Sequence, residues 1–524
     1  MSRVRDFLDL LNQERENQPE RWHFVIYDQL NLDAFSWSEG VPKDNGLIFI
    51  ETLAKGTSKK YHKQKLAFLI SNMRHFALEA KDAGHPVRYI IDERPYEIIL
   101  KELITSLGPI HITQPAERAM RLSLDELISK NALIPHEHKG WLTQRSWFVE
   151  SVGENPPFRM DKFYRRVRHE TGWLMTEGSP IGGKYSFDAE NRYPWKGEPM
   201  PPSDPLYSKD AIDEEVEEMV ERVFPEHPGA IDLDVVPTSL EQHQRALEHA
   251  KHLLPHFGTY EDAMTTQSRG LFHSKLASSI NLHRLMPLEV AQMVMTSSAP
   301  INSIEGFLRQ LIWREYVRHV YEVTNGFLDL EIEGADQGRP NHLGQFNPLP
   351  DVFWGAKSGL HCLDHVVESV MEEGWTHHIP RLMILGNLAT LLDVEPKQLS
   401  DWFHECFIDA FDWVVEPNVL GMASASMGTT MMTKPYVSGT PYINKMSDYC
   451  QSCALDPKKN CPISNLYWAF LERHKKAFEG NHRMSMAMRN LNRRSDEKKK
   501  QDEAVFHSLW DTLYRKETYL QNTL

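Results

Sequence analysis

Trp22-His-Phe-Val-Ile-Tyr27, Gly46-Leu-Ile-Phe-Ile50, Val87-Arg-Tyr-Ile-Ile-Asp92 and Ile110-His-Ile-Thr113 decide the fold. Each run is strand-sized and rich in β-branched and aromatic residues. Helical patterns separate the later ones: Lys63–Ala83, closed by Gly84, and Tyr96–Leu107. This alternation over residues 22–145 predicts an α/β domain, a parallel sheet with helices on both faces. Ligands of such sheets sit at the carboxyl ends of the strands. Asp28 and Gln29, after the first strand, and Glu51, after the second, are therefore candidate pocket residues; the plain alternative is loop and cap roles. No G-x-G-x-x-G is present, so a dinucleotide Rossmann site is not indicated.

Outward from this block the character changes. Residues 150–236 concentrate Pro, Gly and Asp, most clearly in Tyr193-Pro-Trp-Lys-Gly-Glu-Pro-Met-Pro-Pro-Ser-Asp-Pro205, and read as a long surface connector. Within it, residues 204–234 hold 11 acidic residues against Lys209 and Arg222, a pattern for one solvated acidic helix plus loops. From 237 onward helical periodicity dominates, as in Gly306–Val323 and Arg381–Leu392, with no convincing strand. The expected division is an α/β domain over 1–149, a connector over 150–236 and a large all-helical domain over 237–524.

With 524 residues, 41% hydrophobic and 25% charged, the chain is a folded protein of at least two domains. It holds no apolar run of about 18 residues, so no membrane span is expected. Met1–Arg21 is charged throughout and lacks the apolar core of a signal peptide, which points to the cytosol. The net charge of −15 counts at first against a nucleic-acid partner. The charge is segregated, however: residues 204–234 carry −9, whereas 471–500 carry ten basic and four acidic residues, a local +6. That distribution is compatible with DNA, with Lys434, Lys445, Arg483 and Arg489 as candidate contacts.

Three of the five cysteines fall in Cys450-Gln-Ser-Cys453-(seven residues)-Cys461-Pro462. A C-x-x-C sets two thiolates on one turn, and a third Cys followed by Pro fits iron–sulfur ligation, with Cys362 or Cys406 supplying a fourth ligand. Structural zinc and ordinary buried thiols are the alternatives.

The segment Gly306-Phe-Leu-Arg-Gln-Leu-Ile-Trp-Arg-Glu-Tyr-Val-Arg318 resembles the flavin-domain helix of the photolyase/cryptochrome family. Trp375-Thr-His-His-Ile-Pro-Arg381 resembles that family's W-x-H-[NH]-x-x-R helix, and Asp401-Trp402-Phe403 with Phe407-Ile-Asp409 its electron-transfer and flavin-binding stretch. Cys362 far upstream of Cys450, Cys453 and Cys461 resembles the iron–sulfur bacterial cryptochrome/photolyase branch, whose members include prokaryotic (6-4) photolyases. Phe163-Tyr-Arg-Arg-Val-Arg168, Gly182–Arg192 and Tyr436–Met446 fit the same branch.

The resemblance implies light-dependent repair of (6-4) photoproducts by electron transfer from reduced FAD. UV-damaged DNA would be the partner, its lesion flipped out of the duplex, and the protein would act as a monomer. It implies a [4Fe–4S] cluster on Cys362, Cys450, Cys453 and Cys461, which leaves Cys406 as a buried thiol. His378 is the implied proton donor, since a (6-4) lesion must gain and lose protons and His titrates near neutrality. His377 stands beside it, and Tyr436 is an implied lesion-side residue. The position four residues after His378, a His in animal (6-4) enzymes, is Leu382 here, as in the iron–sulfur branch.

FAD contacts carry over to Tyr260, Ser274, Lys275, Leu276, Gln310, Arg314, Arg381 and Asp409. Ala277 and His283 depart from the family's Ser and Gly. Trp402, Trp354 and Tyr442 match the aromatic electron relay. The N-terminal domain would hold a 6,7-dimethyl-8-ribityllumazine antenna near Asp28, Gln29, Glu51 and His62. Two other functions fit parts of the pattern. One is a cryptochrome-like photoreceptor with the same flavin and relay. The other is a flavin-free, cluster-bearing nucleic-acid binder, against which Trp313-Arg-Glu and the Trp375–Arg381 helix count.

Overall fold

The computed structural model describes residues 7–11, 19–36, 44–330, 340–515 and 519. Much of the charged N-terminal stretch read as lacking a signal peptide lies outside them. The first strand, β1 (Arg21–Val25), pairs in parallel with β2 (Asn45–Thr52) on one side and with β4 (Ile110–Thr113) on the other. Beyond β2 lies β3 (Val87–Asp92) and beyond β4 lies β5 (Leu133–His136), giving the order β3-β2-β1-β4-β5. Every residue of β2 is buried, as a strand covered on both faces must be. β5 is an unanticipated fifth strand; Pro135 sits in it without cost because the strand is at the sheet edge.

The crossovers are α1 (Lys63–Asp82), α2 (Tyr96–Leu107) and α3 (Arg118–Ser129). The strand order reverses between β1 and β4, so the ends of these two strands open the crevice where such sheets take ligands.

The acidic segment forms α4 (Ala211–Val223), which a reciprocal box between Asp210 and Asp213 caps. It is not fully solvated: Ile212, Val216 and Val220 are buried in the apolar cluster shared with α1. The helical region follows with α5 (Leu240–Phe257), α6 (Ile301–Val323), α7 (His361–Glu373), α8 (Pro396–Cys406), α9 (Thr440–Met446), α10 (Ile463–Arg473) and α11 (Asp496–Tyr514). α6 is buried on nearly all faces, as the central helix of a bundle should be. Among the described residues no strand of two or more residues occurs after 237. The fold is thus a parallel-sheet α/β domain joined to a helical domain.

Residues 381–392 are not one regular helix. A π-type wide turn over Arg381–Gly386 precedes an α-helical stretch, Asn387–Leu391. Such turns gather at functional sites because the extra residue re-aims the side chains on either side. A Cβ on Gly386 would stand 2.9 Å from the Cβ of Ala423, so the residue permits close packing of the neighbouring segment.

Candidate functional site

The turn 270–276 and the segment 375–381 face each other across a cleft. Leu271 and Lys275 both adopt positive φ, at 45° and 56°, costly for residues with a Cβ and typical of functional turns. This turn presents His273, Ser274 and Lys275. His273 stacks on His377, with ring centroids 4.1 Å apart and planes at 15°, and meets His378 edge-on at 5.2 Å. One ring nitrogen of His273 and one of His377 are buried without a hydrogen-bond partner. Stacked rings set their lone pairs side by side rather than converging, so the trio is not built as a cation cradle. Burial holds His273 and His377 well below ordinary imidazole pKa values, with His378 adding to it for His273 and His273 and His378 for His377; both are neutral at pH 7.

His378 differs from its neighbours because its ring reaches solvent. Crowding by protein lowers its pKa, and Arg381 and Arg309 add to this, while Glu261 opposes them. Glu261 is buried; its carboxylate accepts from Gln310 Nε2 at 2.6 Å and from Asn191 Nδ2 at 2.8 Å.

Arg381 holds Asp409 through two N–H···O bonds of 2.9 Å each, its guanidinium over the Phe407 ring. The Asp409 carbonyl accepts from Asn281, whose own side-chain oxygen accepts from Arg314 Nε at 2.8 Å. Arg314 itself is engaged elsewhere than expected. It is buried between Trp141 and Trp413, paired with Glu315 at 2.9 Å, where the helical region meets the α/β domain. It is tied to Asp409 through Asn281.

Ser274, Lys275, Ser278 and Ser279 line a cleft of about 580 Å³ with Trp375, Ile408 and Tyr207. Lys275 bridges Asp204 of the connector (2.9 Å) and Glu373 (3.1 Å). Leu276 turns its side chain into the core, while Tyr260 stacks on Phe272 at 5.5 Å. Hydroxyls and an ammonium at one end, and an Arg–Asp pair flanked by aromatic and apolar walls at the other, suit a dinucleotide with a planar ring system.

Trp402 is buried, and its indole N–H donates to the Phe353 carbonyl at 2.9 Å; Trp354 follows directly and is 39% exposed. One indole is thus interior and the other is at the surface. Tyr442 is on α9, where burial, then the nearby Asp262, raises its phenol well above the usual range. Burial and the nearby Glu261 raise Asp262 to about 6. Tyr436 shares that neighbourhood: Asp262, Arg192 and Arg483 all act on its phenol. Arg483 of the basic stretch is therefore close to the expected lesion side. Arg473, Arg494 and Lys499 are instead held by Asp393, Asp502 and Glu472.

Cys362, Cys450, Cys453 and Cys461 line one cavity of about 330 Å³ together with Tyr449, Leu455 and Ile463. Burial and mutual repulsion push the Cys362 thiol far up and Cys461 to about 12. Thiols raised in this way need a cation to become thiolates. Main-chain N–H groups of Leu363, Leu455 and Ile463 point at the Cys362, Cys453 and Cys461 sulfurs. Four cysteines around one cavity are a donor set that fits a tetrahedral zinc or an iron–sulfur cluster. Cys406 is buried away from this cavity.

In the α/β domain a pocket of about 660 Å³ opens at the carboxyl ends of β1 and β2 and is closed by His404 and Phe411 of the helical region. Only Glu51 of the four expected antenna residues lines it, and its carboxylate is clamped by Arg74 (3.0 and 3.1 Å) and Tyr89 (2.8 Å). His62 is not a pocket residue: it caps α1 through Gln64 N–H (3.0 Å) and lies 3.1 Å from the Met371 carbonyl, and burial lowers it to about 4. Gln29 donates to the Thr113 and Gln114 carbonyls. Asp28 is buried with one carboxylate oxygen unpartnered, and burial raises it to about 7.

Beside Glu51, the polar groups that line the pocket include Tyr27, Lys55, Tyr61, Lys65, Tyr96, Glu117 and His404. Glu117 accepts from Tyr27 and Lys55, and Lys65 donates to the His404 and Ala410 carbonyls at 2.6 Å each. Glu117 follows β4, so the strand-end rule that selected Asp28 reaches it once applied to the fourth strand. Glu261 and His273 each adjoin an expected residue, Tyr260 and Ser274, but no local pattern marks them.

Residues 23–234 match the family described as deoxyribodipyrimidine photo-lyase-related protein, and residues 307–460 match the FAD binding domain of DNA photolyase. A (6-4) photolyase of Agrobacterium fabrum is 33% identical over 493 residues, covering 90% of this chain and 96% of that protein. Among solved structures, a class III photolyase from Agrobacterium tumefaciens aligns over 95% of this chain and 99% of its own at TM-score 0.58 and 14% identity. An archaeal photolyase from Sulfolobus tokodaii, described with two FAD molecules, aligns over 87% of this chain and 98% of its own at TM-score 0.55 and 12% identity. With its sheet, its helical cleft and these likenesses together, the chain belongs to the photolyase/cryptochrome family.

Proposed function

We propose that the protein is a (6-4) DNA photolyase of the iron–sulfur branch. The observation that carries this reading is His378, a solvent-reaching imidazole set against the buried His273–His377 stack. FAD, when bound, supplies the photoexcited electron that opens the lesion. Ser274, Lys275, Ser278 and Ser279 would hold its phosphates, and Arg381, Asp409 and Gln310 its ring end.

The repair is an isomerisation, so protons lent to the lesion must return. His378 as imidazolium gives a proton from a ring nitrogen, and as neutral imidazole takes one back. His377, kept neutral, packs the donor in place, and Tyr436 with Arg483 borders the flipped lesion. Trp402 and Trp354 would refill the flavin with electrons; Tyr442, on α9 beside Asp262, would join from the lesion side. The four-cysteine cavity would hold a [4Fe–4S] cluster, and the Tyr27–Lys65–Glu117 pocket a 6,7-dimethyl-8-ribityllumazine antenna. The protein would act as a cytoplasmic monomer on UV-damaged DNA.

The test is illumination of an oligonucleotide carrying a (6-4) photoproduct with the reduced holoprotein. Restored pyrimidines are expected, together with flavin bands over a broad cluster shoulder in the absorption spectrum. Flavin photoreduction without any repair would assign the protein to a photoreceptor role instead, and cluster absorption without flavin would sink both.

A further inference from the structure

Ser485–Asn492 is a short helix on the outside of the helical domain, preceded by a tight turn over His482–Met484. Met484 and Leu491 are buried in the core and Ala487 and Met488 pack against it, so one side of the helix is anchored at helical spacing. The other side is a stripe at the same spacing: Arg483, Met486, Arg489, Asn490 and Arg493, all exposed. Among the described residues none of these three arginines is in an ion pair, whereas Arg473, Arg494 and Lys499 of the same basic stretch are held by carboxylates. Met486 is the one apolar residue of the stripe and is 74% exposed. A lone exposed Met is ordinary on a surface. One set between unpaired guanidiniums has the makeup of a contact for a polyanion with an apolar interior.

Hydrogen bonds tie the stripe to the segment that bears His378. Asn481, which caps the turn carrying Arg483, donates from Nδ2 to the Thr433 carbonyl at 3.0 Å. Lys434, exposed and a fourth cation, and then Tyr436 follow. Ser438 exchanges two hydrogen bonds, of 2.9 and 3.0 Å, with the side chain of Asn387, and Asn387 directly follows the wide turn Arg381–Gly386.

We propose that this stripe grips the duplex beside a flipped lesion, with Arg483, Arg489 and Arg493 on phosphates and the Met486 side chain inserted into the base stack where the lesion has left it. The proposal rests on the (6-4) repair reading. Flipping forfeits stacking, and an unbranched thioether fits an irregular gap and restores apolar contact to the bases on either side. Guanidiniums about one helical turn away fix its register on the backbone. Three cations around a single apolar residue favour DNA over a lipid surface, which calls for an apolar face of several residues.

The test measures the affinity of the reduced holoprotein, kept in the dark, for three duplexes of one sequence: undamaged, carrying a (6-4) photoproduct, and carrying two abasic sites in its place. M486A is expected to lose about tenfold on the lesion and abasic duplexes and less than about twofold on the undamaged one, with the salt dependence unchanged. M486L should keep most of the wild-type preference. The double variant R489Q/R493Q should weaken all three complexes and reduce the slope of log affinity against log salt by about two. Unfolding temperature and flavin content should match wild type in every variant, because the substituted side chains are exposed. A wild-type preference for damage in M486A, or an unmoved salt slope in R489Q/R493Q, overturns the proposal. So does binding to phosphatidylserine vesicles that M486A abolishes while DNA affinity stays unchanged. If the unaltered protein repairs no (6-4) lesion in light, the repair reading fails by itself, and the abasic duplex, which holds no lesion, still decides whether Met486 enters the stack.

Discussion

Arg381 and Asp409 meet through two parallel hydrogen bonds of 2.9 Å, joining the segment that bears the histidines to the loop after α8. The guanidinium also covers the Phe407 ring and donates to the Thr376 carbonyl at 2.7 Å. Asp409→Asn keeps the shape and removes the charge. It should lower apoprotein stability by about 2 kcal/mol, since one partner of a largely buried ion pair is left uncompensated. Urea unfolding of the apoprotein measures this, and the flavin-to-protein ratio after purification should fall in parallel. An unchanged ratio would remove the pair from the flavin site.

His378→Ala should reduce the (6-4) repair rate by about 100-fold or more, the scale of losing a positioned proton donor. Flavin content and photoreduction should be unchanged, because the ring reaches solvent. Retention of wild-type repair would overturn the assignment of the donor.

Trp402→Phe should slow photoreduction of oxidised flavin by about tenfold or more, since a buried indole that can be oxidised is replaced by a ring that cannot. Trp354→Phe should do the same from the exposed end. Repair by chemically reduced protein should be unaffected in both. Photoreduction at the wild-type rate in the double variant would transfer the path to Tyr442 and its neighbours.

Asp28 gives a pH signature. Burial, then Glu117, raises its folded pKa to about 7, above the unfolded value. The folded state therefore binds the proton more tightly, and the stabilisation is complete below about pH 4 and is lost as pH rises through about 7. Asp28→Asn should remove that slope and be more stable than wild type at pH 8, by about 1–3 kcal/mol. Chemical denaturation at pH 5 and pH 8 checks the sign, and equal destabilisation at both pH values would refute it.

Cys362→Ser should abolish the broad visible absorption expected of a cluster and unfold the region around α7, α9 and α10, whereas Cys406→Ser should leave the spectrum unchanged. Iron and sulfide analysis of both variants supplies the comparison.

Much of this was legible in the chain because period and punctuation are local. Lys63–Asp82 and Tyr96–Leu107 end where Gly84 and Gly108 permit backbone that other residues avoid. The fifth strand was hidden by Pro135, which only an edge position tolerates. His377, His378, Arg381 and Asp409 were chosen from motif; the structure sets the first three on one segment and ties Asp409 to it through Arg381. The antenna residues were not. His62 looked like a pocket residue but caps a helix, and Glu51 is clamped by Arg74, 23 residues away in the chain. Lys65 and Glu117 acquire their meaning only when His404 and Phe411 close the pocket from the other half of the chain. Glu261 was invisible for the same reason: its carboxylate accepts from Asn191 and Gln310, neither of them within a helical turn of it.

The seam at Arg314 carries a consequence for anyone who would cut the molecule. Ile312, Tyr316, Val317 and Trp413 belong to the same apolar cluster as Phe24, Ile48 and Phe68 of the sheet domain. The two halves are thus not modules on a tether but a single casting. Severing the chain in the connector would strip oil-like surface from both pieces at once, and heating the intact protein should melt them together, in one calorimetric peak. Any two pigments seated in the two pockets would keep fixed spacing and tilt, as lenses do when bolted to one bench.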